Sequence, residues 1–205
     1  MSFVNSGEVV NDWSAIAERE IKASADIDVS ANYETTLHLQ AGLTSVSAND
    51  GTRFIVQVSW NTSGDEDWQE YISFVRLKGT AQILVLDGDE AAGQTTIADA
   101  ADNIPGTGVW CLFKDDTTIN SELVFVSYVD TGYFIVLDAT TNAHAVASSD
   151  FYAGASLDDE VAFSQTIKIQ GTNIKRARLV IDNNYDTTSP SLQYKLSKAV
   201  TTSLS

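Results

Sequence analysis

Apolar and polar residues alternate along most of this chain with the period of two that sends successive side chains to opposite faces of a strand. Residues 25–30, 35–41, 53–60 and 71–77 read as half-buried strands rich in β-branched and aromatic side chains. Runs of the same kind follow at 82–87, 109–113, 123–129, 133–138, 162–169, 177–182 and 192–196, separated by turn-rich pieces such as DGDE, DNIPGTG, DTG and QGTN. Eleven short strands at near-regular spacing predict an all-β fold of sandwich or barrel type.

Only the N-terminal piece competes with this pattern. Trp13, Ile16, Ala17 and Ile21 fall at helical spacing behind a capping Asp12, which predicts either a short amphipathic helix or an arm that docks on its own or a neighbouring subunit. Two prolines, Pro105 and Pro190, leave little room for a stiff linker. Threonine is abundant and forms six Thr-Thr pairs, in keeping with the solvent faces of strands.

An echo runs through the strands. ILVLDGD at 83–89 and FIVLDAT at 134–140 each end an apolar run in an aspartate, and RLVIDN at 178–183 does so again. Each closes a predicted hairpin, with turns at Gly79-Thr80, Thr131-Gly132 and Gly171-Thr172. An aspartate after the last apolar position accepts bonds from the following amides and starts a turn, so the repeat points to strand ends and not to copied chemistry.

Charge narrows the partners. The chain has 205 residues, enough to bury a real core, with 28 acidic against 12 basic residues and a net charge of −16. DNA, RNA and anionic membranes are repelled by such a surface. Lys175, Arg176 and Arg178 cluster, but three charges on one strand read as a solvated face. Cys111 is a lone cysteine, and the opening MSFVNSGEVV lacks the pattern of a secretory signal, so synthesis in a reducing cytoplasm is expected. No apolar run reaches the roughly eighteen residues a membrane helix needs, and no membrane partner is expected.

Candidate chemistry is sparse. Asp87, Asp89 and Glu90 supply hard oxygen donors beside a glycine, but the twelve-residue calcium loop is missing its distal acid. Asp182, Asn183, Asn184 and Asp186 form a similar group, and Asp65, Glu66 and Asp67 a lesser one. His38 lies between two leucines and points away from their face, while His144 in TNAHA has no second ligand at metal spacing. Cys111 in VWCLF reads as a small buried hydrophobe. No GxSxG, HExxH, Walker or GxGxxG motif occurs, so no catalytic, cofactor-binding or metal residue is assigned and no enzyme is expected. A pair of carboxylates meeting in space to hydrolyse a glycoside stays open. So does a sugar-binding surface built on Trp60, Trp68 and Tyr71, which flank one loop.

From Ala91 to Ala147 the chain contains GQTTI, GVWCLF, NSE, a hairpin and a closing TNAHA. This segment resembles the small β-barrel module that recurs in structural proteins of tailed bacteriophages, departing from it at ADAADNIP, where Pro105 interrupts. The flanking pieces DVSANYETTLHLQ, GTRFIVQVSWNTSGDEDWQEY and RARLVIDNNYDT are similar to phage-encoded β-sandwich domains. The resemblance implies a β-sandwich from residues 25–88 plus 150–205, an inserted small β-barrel at 89–149, and an N-terminal arm or short helix at 1–24. It further implies a virion component without enzymatic activity, such as a capsid decoration or cement protein or another head or tail accessory component. Its partners would be copies of itself and other virion proteins, its location the virion, and its site residues and cofactors none.

Overall fold

The computed structural model describes residues 5–30, 32–64, 67–98, 107–147, 149–156, 158–171 and 173–202. Among them are sixteen strands, one 3-10 turn at Thr118–Asn120 and no α-helix, so the fold is all-β. Sheet I is antiparallel in the order β1 (Asn5–Ile16), β16 (Leu192–Thr202), β4 (Asn32–Leu43) and β14 (Ala162–Ile169). Sheet II runs β2 (Ile21–Ala23), β15 (Arg176–Asp182), β6 (Thr52–Ser59) and β7 (Gln69–Arg76), with β3 (Ile27–Asp28) also on β15.

Alternation explains why these two sheets face each other. Leu37, Leu39, Ala41 and Leu43 of β4 are buried, as are Phe54, Val56 and Val58 of β6 and Ala177, Leu179 and Ile181 of β15. They join one apolar cluster, in which Phe54 of sheet II meets Phe163 of sheet I edge to face at 5.1 Å. Tyr71 and Arg76 close one side of this sandwich. The Tyr71 hydroxyl accepts the Gln170 amide at 3.3 Å, and Arg76 bonds Glu160 and Gln165.

Sheet III holds β5 (Ala48–Asn49), β8 (Gly79–Leu84), β13 (Ser149–Gly154), β10 (Val109–Asp115), β11 (Glu122–Asp130), β12 (Tyr133–Val136) and β9 (Thr96–Ala98), paired in that order. Phe134 of β12 and Phe151 of β13 are three strands apart in this order, yet their rings lie 5.0 Å from each other. A flat sheet would separate them by about 14 Å. Sheet III therefore curls round a second core of its own, made of residues such as Ile97, Cys111, Phe113, Val126 and Phe134. The curl brings the amide of Asp87, just past β8, to 3.4 Å from the carbonyl of Ala98 in β9.

The opposite face of sheet III lies on the sandwich. Leu112 and Tyr152 belong to the first core, with Trp110 and Leu123 packed against it. Gly42 alternates with the inward Ala41 and Leu43 and so points outward; a Cβ there would meet Leu112 side-chain atoms at 2.9 Å. Glycine is what lets sheet III approach one end of sheet I. β8 and β13 pair with each other, and β13 with β10, within sheet III.

Three expectations change. The N-terminal piece, expected as an arm or a short helix, is not helical but a strand, β1, paired with β16 through two register shifts, one between Val9 and Asn11 and one between Asn11 and Ser14. The second shift turns Trp13 inward beside Ile16, both buried, so a bulged strand reproduces the helical spacing of three. Ile21 is 60% exposed and takes no part. Of the three predicted hairpins, the one at Thr131-Gly132 forms, with Asp130 opposite Tyr133. At the other two the chain changes sheet: β7 belongs to sheet II and β8 to sheet III, and β14 to sheet I and β15 to sheet II. The crossing after β7 is set by buried Leu77 at φ 62° and by Gly79 at φ 118°, where a side chain would collide with Asp159. Of the three strand-ending aspartates, Asp182 accepts the amide two residues on, at 3.0 Å. The interruption ADAADNIP lies almost wholly outside the described residues.

Candidate functional site

The strands explain the position of most residues singled out for chemistry. Cys111 is fully buried in the second core, and burial pushes its thiol up to about 12, so it is no nucleophile at neutral pH. His38 faces outward on β4 as the alternation requires. Its Nε2 lies 3.2 Å from the Ser164 hydroxyl and its Nδ1 3.3 Å from that of Thr166. The ring thus clamps β4 to β14. Among the described residues its partners are these two hydroxyls.

His144 is the residue the sequence placed least well. It is fully buried, its ring stacks on Phe113 with centroids 4.2 Å apart, and its backbone exchanges two hydrogen bonds with Glu90. Nε2 sits 2.7 Å from Oε1 of Glu122, whose carboxylate also accepts the amides of Thr141 and Asn142. Among the described residues Nδ1 has no hydrogen-bond partner. Burial works to raise the Glu122 carboxyl, but the His144 bond and the two amides outweigh it and hold the group below the ordinary glutamate range. The pair pins the loop from Thr140 to His144 onto β11.

The carboxylate groups serve as turn anchors. Asp89 accepts the amide of Val146, and Glu90 that of Ala98. Asp182 and Asp186 accept amides from their own turn. Asn183 is buried and bonds Thr52, Ala17 and Pro190. Asp67 accepts the Ser59 hydroxyl at 2.6 Å, which holds its carboxyl below the usual range. Asp65 and Glu66 lie outside the described residues. Among the described residues no three His, Cys, Asp or Glu side chains converge as a metal site.

The three aromatic candidates do not form one platform. On the β6–β7 ladder Gln57 pairs with Glu70 and Val56 with Ile72, so Tyr71 is the extra residue of a bulge. Trp60, 45% exposed, lies beyond the last residue of β6, past the pair Val58 and Gln69. Trp68 is covered: the guanidinium carbons of Arg176 and Arg178 lie 4.7 and 4.3 Å from its ring centroid. The expected solvated basic face is likewise corrected at Arg176, which is 8% exposed. Its guanidinium pairs with Asp26 at 2.6 Å and Asp67 at 3.6 Å and bonds the carbonyls of Asn61 and Gly64. It is the post round which the loop after β6 is wound, and its two aspartates and two carbonyls explain why a basic residue sits inside.

What remains open on the sandwich is an edge. β1 pairs with β16 on one side and with no other described strand. Glu8 and Asp12 are paired with Lys198 and Lys195 of β16, at 2.9 and 3.2 Å, which neutralises the strand. Val9 is 52% exposed and borders a shallow hollow of about 230 Å³ on the outer face of sheet I, beside His38, Ser197 and Ala199.

No known family matches the chain, and no curated protein matches it. Among solved structures, the tailspike gp61 of Pseudomonas phage phi297 aligns over 36% of this chain and 14% of its own, with 20% identity and a TM-score of 0.30. VP17, a capsid protein of bacteriophage P23-77, aligns over 99% of this chain and 98% of its own, with 9% identity and a TM-score of 0.21. VP2 of infectious bursal disease virus, from a subviral particle, aligns over 97% and 42%, with 9% identity and a TM-score of 0.25. At these scores the likeness is one of β architecture alone.

Proposed function

We propose that the chain is a non-enzymatic structural protein of a virus particle, a capsid decoration or cement protein or another head or tail accessory component. It works by associating with copies of itself and by binding other virion proteins. The observation that carries the reading is the open edge of β1, in the segment that the sequence reads as an arm or a short helix. Edge strands of proteins that stay monomeric are blunted by charged side chains, proline or bulges, and the one charge in Asn5–Val9, Glu8, is paired with Lys198 of β16. In β1 the bulges begin only after Val9, and the run Asn5–Val9 keeps regular pairing with β16 and contains neither lysine nor proline. Two such edges laid antiparallel about a two-fold axis make a self-complementary contact that continues sheet I from one copy into the next.

The resemblance of residues 91–147 to a phage structural module supports the same reading, as does a surface with net charge −16, which keeps assembled particles apart. The division into a sandwich and an inserted barrel belongs to this proposal. The pairing of β8 and β13 favours an inserted unit that begins near Gly79 and ends near Gly154. Sedimentation velocity on the full chain and on Val9→Lys tests the edge. The wild type sediments as an oligomer and the variant shifts toward monomer; a wild type that is monomeric at micromolar concentration contradicts the proposal.

A further inference from the structure

At one end of the sandwich three loops meet on Asn183, which is fully buried. Its carboxamide donates to the carbonyls of Ala17 at 2.9 Å and Pro190 at 3.0 Å, and accepts from the Thr52 hydroxyl at 2.8 Å. Its own amide donates to the carbonyl of Glu20 at 3.0 Å. The turn between β1 and β2 is closed by bonds in both directions between Ala17 and Glu20. The Asp50 carboxylate accepts the hydroxyls of Thr187 and Thr188. A buried polar hub of this kind is costly unless fully satisfied, and once satisfied it holds its loops in one arrangement. Rigidly held loops at the end of a sandwich are where binding residues are carried.

Above this frame Arg19, at φ 57°, and Tyr185, 51% exposed, flank an open hollow of about 410 Å³ completed by Asn184, Asp186 and Thr187. A second hollow of about 200 Å³ shares Arg19 and Thr187 and continues past Ser47 and Thr188. The groups facing the larger hollow are unspent. Among the described residues the Arg19 guanidinium and the Asn184 carboxamide make no hydrogen bond, and Asp186 uses only Oδ1. The hollow therefore offers donors from Arg19, both kinds of group from Asn184, an acceptor from Asp186 and an aromatic ring.

That combination selects the ligand. An apolar molecule finds no aliphatic wall in the first hollow. An anion meets one guanidinium against the Asp186 carboxylate, with Glu18 lining the adjoining hollow. A polyhydroxyl ring matches both demands, its hydroxyls each donating and accepting and its C–H face lying on a tyrosine. We propose that the Arg19–Tyr185 cleft binds a neutral saccharide. This goes beyond the assembly reading and uses none of Trp60, Trp68 and Tyr71.

The test is an array of neutral and acidic oligosaccharides probed with the full chain, followed by titration of a retained neutral glycan. The variants are Tyr185→Ala, Arg19→Asn and Trp60→Ala, asparagine being chosen because it tolerates a positive φ. Neutral glycans are retained, Tyr185→Ala and Arg19→Asn weaken binding at least about tenfold without lowering the melting temperature, and Trp60→Ala binds as wild type. Retention of no glycan, retention of acidic glycans only, or neutral-glycan binding that survives Tyr185→Ala overturns the proposal.

Discussion

Oε1 of Glu122 lies 2.7 Å from Nε2 of His144, a contact between a strand and a loop 22 residues apart that is closed from behind by the Phe113 ring. The folded Glu122 carboxyl is held below its ordinary value. Its contribution to stability is therefore complete above the unfolded-state value of about 4.3 and is lost as pH falls through that value toward the lower folded one. Urea melts between pH 6 and pH 3 are expected to show a shallower acid loss for Glu122→Gln than for the wild type. Equal slopes would mean that the pair carries no net charge linkage.

Arg176 gives the largest expected effect of any charged residue. Its side chain is 10% exposed and faces two aspartates and two carbonyls. Arg176→Ala takes the buried guanidinium away from acceptors that are themselves part-exposed, Asp26 at 44% and Asp67 at 28%, and is expected to cost about 1–2 kcal/mol in chemical denaturation through lost hydrogen bonds and packing. Arg176→Lys recovers little, because an ammonium cannot span the planar set of acceptors. Limited proteolysis between Ser59 and Trp68 should rise in both variants, which separates loss of the loop anchor from a general loss of charge.

Asn183→Ala removes one side chain and strands the Thr52 hydroxyl and the carbonyls of Ala17 and Pro190. A loss of about 2–3 kcal/mol follows from leaving buried polar groups unpaired. Asn183→Asp keeps the acceptor but turns the donor toward two carbonyls into a second acceptor, and is expected to be at least as damaging.

Gly42→Ala places a methyl group 2.9 Å from Leu112 atoms, at the contact between sheet III and sheet I. Overpacking of this kind costs about 1–3 kcal/mol. Gly42→Ala combined with Leu112→Ala should recover part of that loss in a double-mutant cycle, since the two side chains compete for one space.

The strands were legible wherever one face is buried and the other wet. β4 alternates without a break from Glu34 to Gln40, and all eleven predicted strands overlap observed ones. β13 was hidden because it is buried on both faces, Phe151 in the second core and Tyr152 in the first, which erases the period of two. β1 was misread because its bulge mimics helical spacing. Pairing was less legible than the strands, for a glycine-bearing turn looks the same whether the chain reverses in its sheet, as at Gly132, or crosses to another, as at Gly79. The Glu122–His144 contact, the Arg176 post and the Arg19–Tyr185 cleft had no signal at all, since each depends on loops brought together only by the packed sheets.

The central claim is that this chain is a component of a virus particle, and quantitative mass spectrometry of purified particles of the virus that encodes it tests this most directly. The account predicts peptides from the whole chain at a fixed ratio to the major shell or tail protein, retained through a density gradient. Their absence from particles that contain the other structural proteins would contradict it.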